Sequence, residues 1–325
     1  MSANISSRGL SLPLRAQYRS NTKNDANISQ CGVSIHPAGY AGPALGTSSV
    51  LADYVDGMAD WDIACPDQAQ ALTLKAIPCT GPFLVIHYRT PLTSTWQFGS
   101  SSFSQPDCRH YATKLYTGVA VARSCGPVGV IGVHLRPETA ACLLGERMQY
   151  FLNARVCLDD LFGASRVLLL EEMLAEARTS AERFACMERF LAANLRERRV
   201  NPVACRAAAL LRQSPHLRVR DLAGRFDVSE RHLLRSFQAM FGMGPKQFAR
   251  IARIESAWSA RGQGASWAHS AYAAGFTDQA HMINDFTEIV GVPPAQLVRS
   301  SGDTAIVASS LSRPQSGCQA SDLIH

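Results

Sequence analysis

The sequence predicts an α+β chain: a β-rich N-terminal unit closed by helices, followed by an all-α region with two similar helical units joined by one long helix. Three observations carry this reading. From about residue 31 to 135 the chain falls into short β-branched and aromatic segments, separated by Gly, Pro, Ser and Asp, which is the pattern of strands and turns. After Pro137 the apolar residues adopt helical spacing. From Asn201 to Arg299 every segment is helical, and a short helix, a three-residue turn and a capped helix occur twice, about 50 residues apart.

Taken in order, residues 1–30 are rich in Ser, Asn and Arg and poor in bulky apolar side chains, so they are expected to be disordered. Strands are expected in "FLVIHYRT" (83–90), "RHYATKLYTGVAVA" (109–122) and "VGVIGVHL" (128–135). Helices are expected in "ETAACLLGERMQYFL", "RVLLLEEMLAEA" and "ERFACMERFLAANLRER", which close a first domain spanning 31–199. A second domain spans 200–301. Asn201 is a favoured N-cap and Pro202 suits the first helical position. Its helices are expected near 202–213, 219–226, 230–241, 245–261, 266–274, 277–290 and 294–299. Residues 302–325 read as a loose tail.

Composition narrows the function classes. The chain has 325 residues, net charge +6 and 46% hydrophobic residues, enough for two domains with sizeable cores. A mild basic excess permits nucleic-acid binding without arguing for it alone. Ten cysteines form no CxxC and none stands near a His at zinc-ligand spacing, so reduced thiols buried as small hydrophobes are expected, with no metal and no cofactor. The N-terminus has no apolar core of the kind a signal peptide needs, and no run is long enough to span a membrane. A cytoplasmic, nucleoid-associated protein without membrane contact is expected. No phosphate-binding Gly loop, GxSxG or HExxH is present, which disfavours an enzyme.

The two helical units have helix-turn-helix spacing. In the first, "VRDLAGRF" and "DVS" precede "ERHLLRSFQAMF", with Ser229 as a natural N-cap. On a helical wheel Leu233, Phe237, Met240 and Phe241 share the core face, while Arg231, Arg235 and Gln238 line the outer face. A lone amphipathic helix would carry such a stripe as an ordinary solvated face. Beside a repeated helix-turn-helix, the same stripe is placed to donate to guanine or to phosphates. In the second unit Gly275 supplies the turn and Thr277 caps a helix with Met282, Phe286, Ile289 and Val290 inward. There Ala280, His281, Asn284, Thr287 and Glu288 face outward. His281 reads as a groove contact or a surface His, since no second ligand lies at i+4 to make a metal site.

Residues 201–299 resemble the DNA-binding domain of the AraC/XylS transcription regulators. The resemblance is carried by Leu222, Ala223, Ser229, His232, Leu233, Arg235, Phe237, Gly242 and Pro245, by Phe248, Arg253 and Ala257 in the long helix, and by "GF-TDQ-H" (275–281), Phe286, Gly291 and Pro294. It implies a transcription regulator on double-stranded DNA, by family habit an activator. It implies base-facing positions at Arg231, Leu234 and Arg235, and at Gln279, Ala280, His281 and Asn284. The wheel puts Leu234 and Gln279 only at the edge. Family habit also implies a first domain that senses a small molecule or forms a homodimer, the effector being unidentified. "GPVGVIGVHLRPETAACLLG" and "LDDLFG" look like the N-terminal domains of some members. The chain departs from the pattern at Asp227, where Gly is usual, at Leu234, where a polar base reader is common, and at Asn284, Thr287 and Glu288, where basic residues are usual.

One feature opposes a DNA role. Residues 201–300 hold 12 Lys and Arg against 7 Asp and Glu, a net of +5. Yet the stretch 277–290 contains Asp278, Asp285 and Glu288 and no cation. Two readings follow: the first unit supplies most of the groove binding, or the acidic face of the second meets a protein such as RNA polymerase.

Overall fold

The computed structural model describes residues 51–104, 108–114, 116–145, 151–196, 200–299 and 304–307. The expected disordered segment at 1–30 lies outside these residues.

The N-terminal unit is built on two five-stranded sheets. Its strands are β1 (Val55–Ile63), β2 (Thr73–Ala76), β3 (Phe83–His87), β4 (Thr93–Phe98), β5 (Ser101–Ser104), β6 (Tyr111–Thr113), β7 (Val119–Arg123), β8 (Val128–Leu135) and β9 (Arg155–Cys157), with β10 (Thr304–Val307) added from the far end of the chain. One sheet has the order β1-β8-β3-β6-β9 and the other β10-β2-β7-β4-β5. Strand β8 sits inside the first sheet and is buried at all eight positions, so it reads as a continuous apolar run rather than an alternating one. The short helices α1 (Pro66–Ala71), α2 (Ala141–Leu144) and α3 (Leu158–Phe162) lie in the connections. Two longer helices, α4 (Ala164–Glu176) and α5 (Ser180–Asn194), put Val167, Leu170, Leu174, Phe184, Met187 and Leu191 into one core with Leu84, Ile131 and Val133 of the first sheet. The sheet is therefore closed by helices, as expected. Arg183 on α5 fixes them: it pairs with Asp60 at 2.9 Å and Asp62 at 2.6 Å on β1.

Three expectations are corrected here. Cys108 and Cys157 form a disulfide, with Cα atoms 5.5 Å apart, because antiparallel pairing of β6 with β9 brings together residues 49 apart in sequence. Cys65 and Cys125 are exposed rather than buried. The segment 302–325 is not wholly loose, since β10 pairs in parallel with β2.

The helical half consists of α6 (Pro202–Gln213), α7 (Val219–Arg225), α8 (Glu230–Phe241), α9 (Pro245–Gly262), α10 (Trp267–Ala273), α11 (Gln279–Val290) and α12 (Pro294–Arg299). Local chemistry sets the ends. Asn201 caps α6 through Val203 and Ala204, Ser229 caps α8 through the His232 amide, and Gly242, Gly275 and Gly291 adopt positive φ at the breaks. Asp278, not Thr277, caps α11, accepting from the His281 amide at 2.7 Å. Asp227 stands in the first turn at φ +51°, the left-handed conformation that Asp tolerates and Gly prefers. Asp227→Gly is therefore expected to be neutral or slightly stabilising, whereas Asp227→Val costs about 1–2 kcal/mol, read as a shift in urea midpoint.

The two halves share a core. Ile77, Val119 and Val121 of the β unit pack in one cluster with Leu233, Phe237, Phe248, Phe286 and Ile289. Polar contacts line the same seam. The Gly118 amide donates to the Ile289 carbonyl at 2.8 Å, and Arg212 on α6 pairs with Asp56 and with Glu138, the latter at 3.3 Å. Lys114, wholly buried, points its ammonium at the Phe241 carbonyl at 3.4 Å. Burial pushes its pKa down to about 8.

Candidate nucleic-acid interface

Helix α8 is held by its apolar face. Leu233, Phe237, Met240 and Phe241 are buried, and the rings of Phe237, Phe241 and Phe248 meet with centroids 4.7–5.5 Å apart. Burying three rings at one junction locks α8 against the start of α9. The opposite face is open: Arg231, Leu234, Arg235 and Gln238 are exposed. Arg231 and Arg235 make no ion pair with any described residue, so both guanidiniums are available for a ligand. Leu234 is 45% exposed, which moves it from the edge, where the wheel put it, to the outer face. An apolar side chain on that face suits a thymine methyl. Gln238 is partly committed, donating its amide to the Gly242 carbonyl at 2.8 Å.

Helix α11 repeats the arrangement. Met282, Phe286, Ile289 and Val290 are buried, and Phe286 stacks on Trp258 of α9, with centroids 5.7 Å apart. Gln279, Ala280 and Asn284 are exposed, and His281 is half-buried against the edge of Phe276. All eight residues expected at the interface thus lie on two helix faces turned away from the core, with His281 the least open.

The acidic residues of this segment have other work. Asp285 is turned inward and buried. It accepts from Arg250 at 3.0 Å and Arg253 at 3.3 Å, and Glu288 pairs with Arg250 at 2.6 Å. These hydrogen bonds hold the Glu288 carboxyl below its ordinary range. Asp278 is the helix cap. Of the three acids only Asp278 and Glu288 are exposed, and each is engaged, one as cap and one in an ion pair; the positions of α11 expected to face bases are uncharged. Sequence spacing missed this because i, i+3 and i, i+4 patterns describe one helix, whereas Arg250 and Arg253 sit on another. Charge is unequal between the units. Arg218, Arg220, Arg225, Arg231, Arg235 and Lys246 are exposed around the first, while Arg250 and Arg253 are neutralised behind the second.

Residues 222–300 match the model of a helix-turn-helix domain family. They form an AraC-type helix-turn-helix domain. The match covers both units and the long helix between them. No curated protein matches the chain. Among solved structures, ToxT from Vibrio cholerae O395 is similar at 12% identity, covering 77% of this chain and 99% of that chain, with a TM-score of 0.45. Unsaturated fatty acid bound wild-type ToxT from Vibrio cholerae strain SCE256 is similar at 12% identity over 74% of this chain and 94% of that chain, with a TM-score of 0.39. The C-terminal domain of AraT, a response regulator from Geobacillus stearothermophilus, is 20% identical over 34% of this chain and 92% of that chain, with a TM-score of 0.30.

Among the described residues no helix is long and apolar enough to cross a membrane. In the β unit the fold assembles what the sequence left apart. The His87 amide donates to His110 Nδ1 at 3.3 Å, and His110 Nε2 meets Glu171 at 2.9 Å. These contacts tie α4 to the sheet through groups already engaged with one another.

Proposed function

We propose that the chain binds DNA sequence-specifically as a cytoplasmic, nucleoid-associated regulator, with α8 as the principal groove reader. The observation that carries this is the pair of unpaired guanidiniums, Arg231 and Arg235, on the outer face of a helix whose other face is locked in the core. Helix α11 reads bases through Gln279, Ala280, His281 and Asn284 with little help from phosphate contacts. An activator rather than a repressor rests on the family resemblance alone, whereas contact with RNA polymerase would use the acidic side of α11, where Glu288 is exposed. A homodimer would use α4, where Leu168 and Leu169 are 56% and 57% exposed. The test of DNA reading is an equilibrium titration of the full chain on specific and scrambled duplexes across a salt series. Each phosphate contact should add about −0.9 to the slope of log K against log salt, and specific DNA should stay tighter at every salt.

The β unit fits the role of a sensor. A cavity of about 90 Å³ lies between the two sheets, lined by Trp61, Phe83, Trp96, Tyr111 and Val130, with Arg155 beside them. The Arg155 guanidinium stacks over Tyr111 at 4.1 Å. This lining suits a small, largely apolar effector carrying at most one polar end. The shared core gives ligand in the cavity a route to the AraC-type domain. In a thermal-shift screen of metabolites, a specific effector should raise the melting temperature by mass action, and Ala120→Leu, which fills the cavity, should remove the shift. A ligand whose shift survives Ala120→Leu binds elsewhere.

A further inference from the structure

The seam between the two halves brings together three chemically distinct ligand groups. A Cys79 sulfur, a His134 ring nitrogen and a Glu255 carboxylate oxygen all lie within 4.8 Å of one another. They come from the turn after β2, from β8 and from the middle of α9. Cys79 and His134 are fully buried, and Glu255 is half-buried.

Each group is already oriented. His134 Nδ1 lies 3.5 Å from Asp56, and Asp56 is itself held by Arg212 and, at 3.3 Å, by Arg136. Neither ring nitrogen has a hydrogen-bond partner among the described residues, and the one turned away from Asp56 is Nε2. It faces the Cys79–Gly81 turn, since a Cβ built on Gly81 would come within 2.9 Å of it. A carboxylate behind the imidazole and an open nitrogen in front is the arrangement that orients metal-binding histidines. The Glu255 oxygens accept from the Thr80 amide at 2.9 Å and the Thr80 hydroxyl at 2.8 Å, which fixes the carboxylate. Cys79 Sγ lies 2.9 Å from the Gly81 carbonyl.

We propose that Cys79, His134 and Glu255 bind one divalent metal ion of the zinc class, bridging the β unit to the long helix of the DNA-binding domain. Thiolate, imidazole and carboxylate together select a borderline-soft ion over magnesium or calcium. Tetrahedral ligands at ordinary bond lengths sit roughly 3.3–3.8 Å apart, so groups within 4.8 Å of one another need to close by at most about 1.5 Å. The Cys79 thiol loses its proton to solvent, neutral His134 gives a lone pair, and Glu255 binds as a carboxylate. The six-coordinate hydrated ion sheds five waters and keeps one in the fourth position. A dication with two anionic ligands is neutral overall, which suits a buried seam that already holds the ammonium of Lys114. Because metal binding is read without DNA, this inference stands or falls apart from the regulator reading.

The test is a Co²⁺ titration of the full chain, stripped with chelator and kept reduced by a phosphine. The expected result is a thiolate-to-cobalt charge-transfer band that saturates at one equivalent, is displaced by Zn²⁺, and is lost in Cys79→Ser but kept in Cys125→Ser. Glu255→Gln, which keeps a partner for Thr80, should weaken binding at least tenfold while retaining wild-type circular dichroism. Should Cys79→Ser fail to fold, X-ray absorption of the zinc-loaded wild type decides: one sulfur among nitrogen and oxygen neighbours supports the site. A purely polar seam predicts no band at one equivalent. That outcome overturns the proposal, as does a band unchanged in Cys79→Ser or an absorption spectrum with two or more sulfurs.

Discussion

Replacing Arg235 with Ala should weaken specific DNA binding by about 1–3 kcal/mol, roughly 5- to 150-fold, while leaving the melting temperature almost unchanged. Arg235 is exposed and makes no ion pair with a described residue, so nothing in the fold depends on its charge. Its neighbour Arg231 should behave alike, and the double variant should lose more than either. Asn284→Ala on α11 should cost less, about 1 kcal/mol or under, because a neutral amide on an uncharged face supplies a base contact without phosphate attraction. Anisotropy titrations of both variants on one duplex make the comparison. Equal losses from Arg235→Ala and Asn284→Ala would show that the two units share the work and would end the unequal-roles reading.

Arg250→Met should damage the second unit from behind. Asp285 is turned into the protein and keeps only Arg253 when Arg250 is removed. Glu288 is released to the surface with its charge uncompensated. Leaving a buried carboxylate short of a partner costs about 1–3 kcal/mol, visible in urea melts. The freed acids also restore the negative field that the salt bridges now cancel, so DNA affinity should fall most at low salt, where repulsion is least screened. Asp285→Asn should rescue part of the stability in the Arg250→Met background, giving a favourable coupling in the double-mutant cycle. Simple additivity of the two substitutions would mean that Arg250 and Asp285 do not support one another.

How much of this was legible in the sequence follows from the range of the interactions. The helical half is written in local chemistry: Asn201-Pro202, Ser229, Gly242, Pro245 and Gly275 set helix ends wherever the chain goes, and the structure follows them within a residue or two. Strand β8 was legible to its ends because a fully buried strand needs an unbroken apolar run. Strand β1 was missed because Gly57, Asp60 and Asp62 interrupt its pattern. Those acids are there for Arg183, more than a hundred residues later in the chain. The stretch 109–122 was read as one strand but is divided into β6 and β7 with Gly118, at φ +78°, between them. The same limit of range hid the disulfide, the pairing of β10 with β2 and the inward turn of Asp285. The exposed face of α8 was legible, because its amphipathicity is clean. On α11 the wheel left Gln279 at an edge, whereas the structure exposes it.

The most direct measurement is selection of genomic DNA fragments by the full chain at several salt concentrations, followed by sequencing. Two reading helices predict a defined motif with two conserved blocks about one helical turn, roughly 10 base pairs, apart. The block under α8 should be the more strongly constrained, and enrichment should fall steeply as salt rises. Weak recovery without sequence preference at every salt concentration would contradict a sequence-specific regulator built on these two helices.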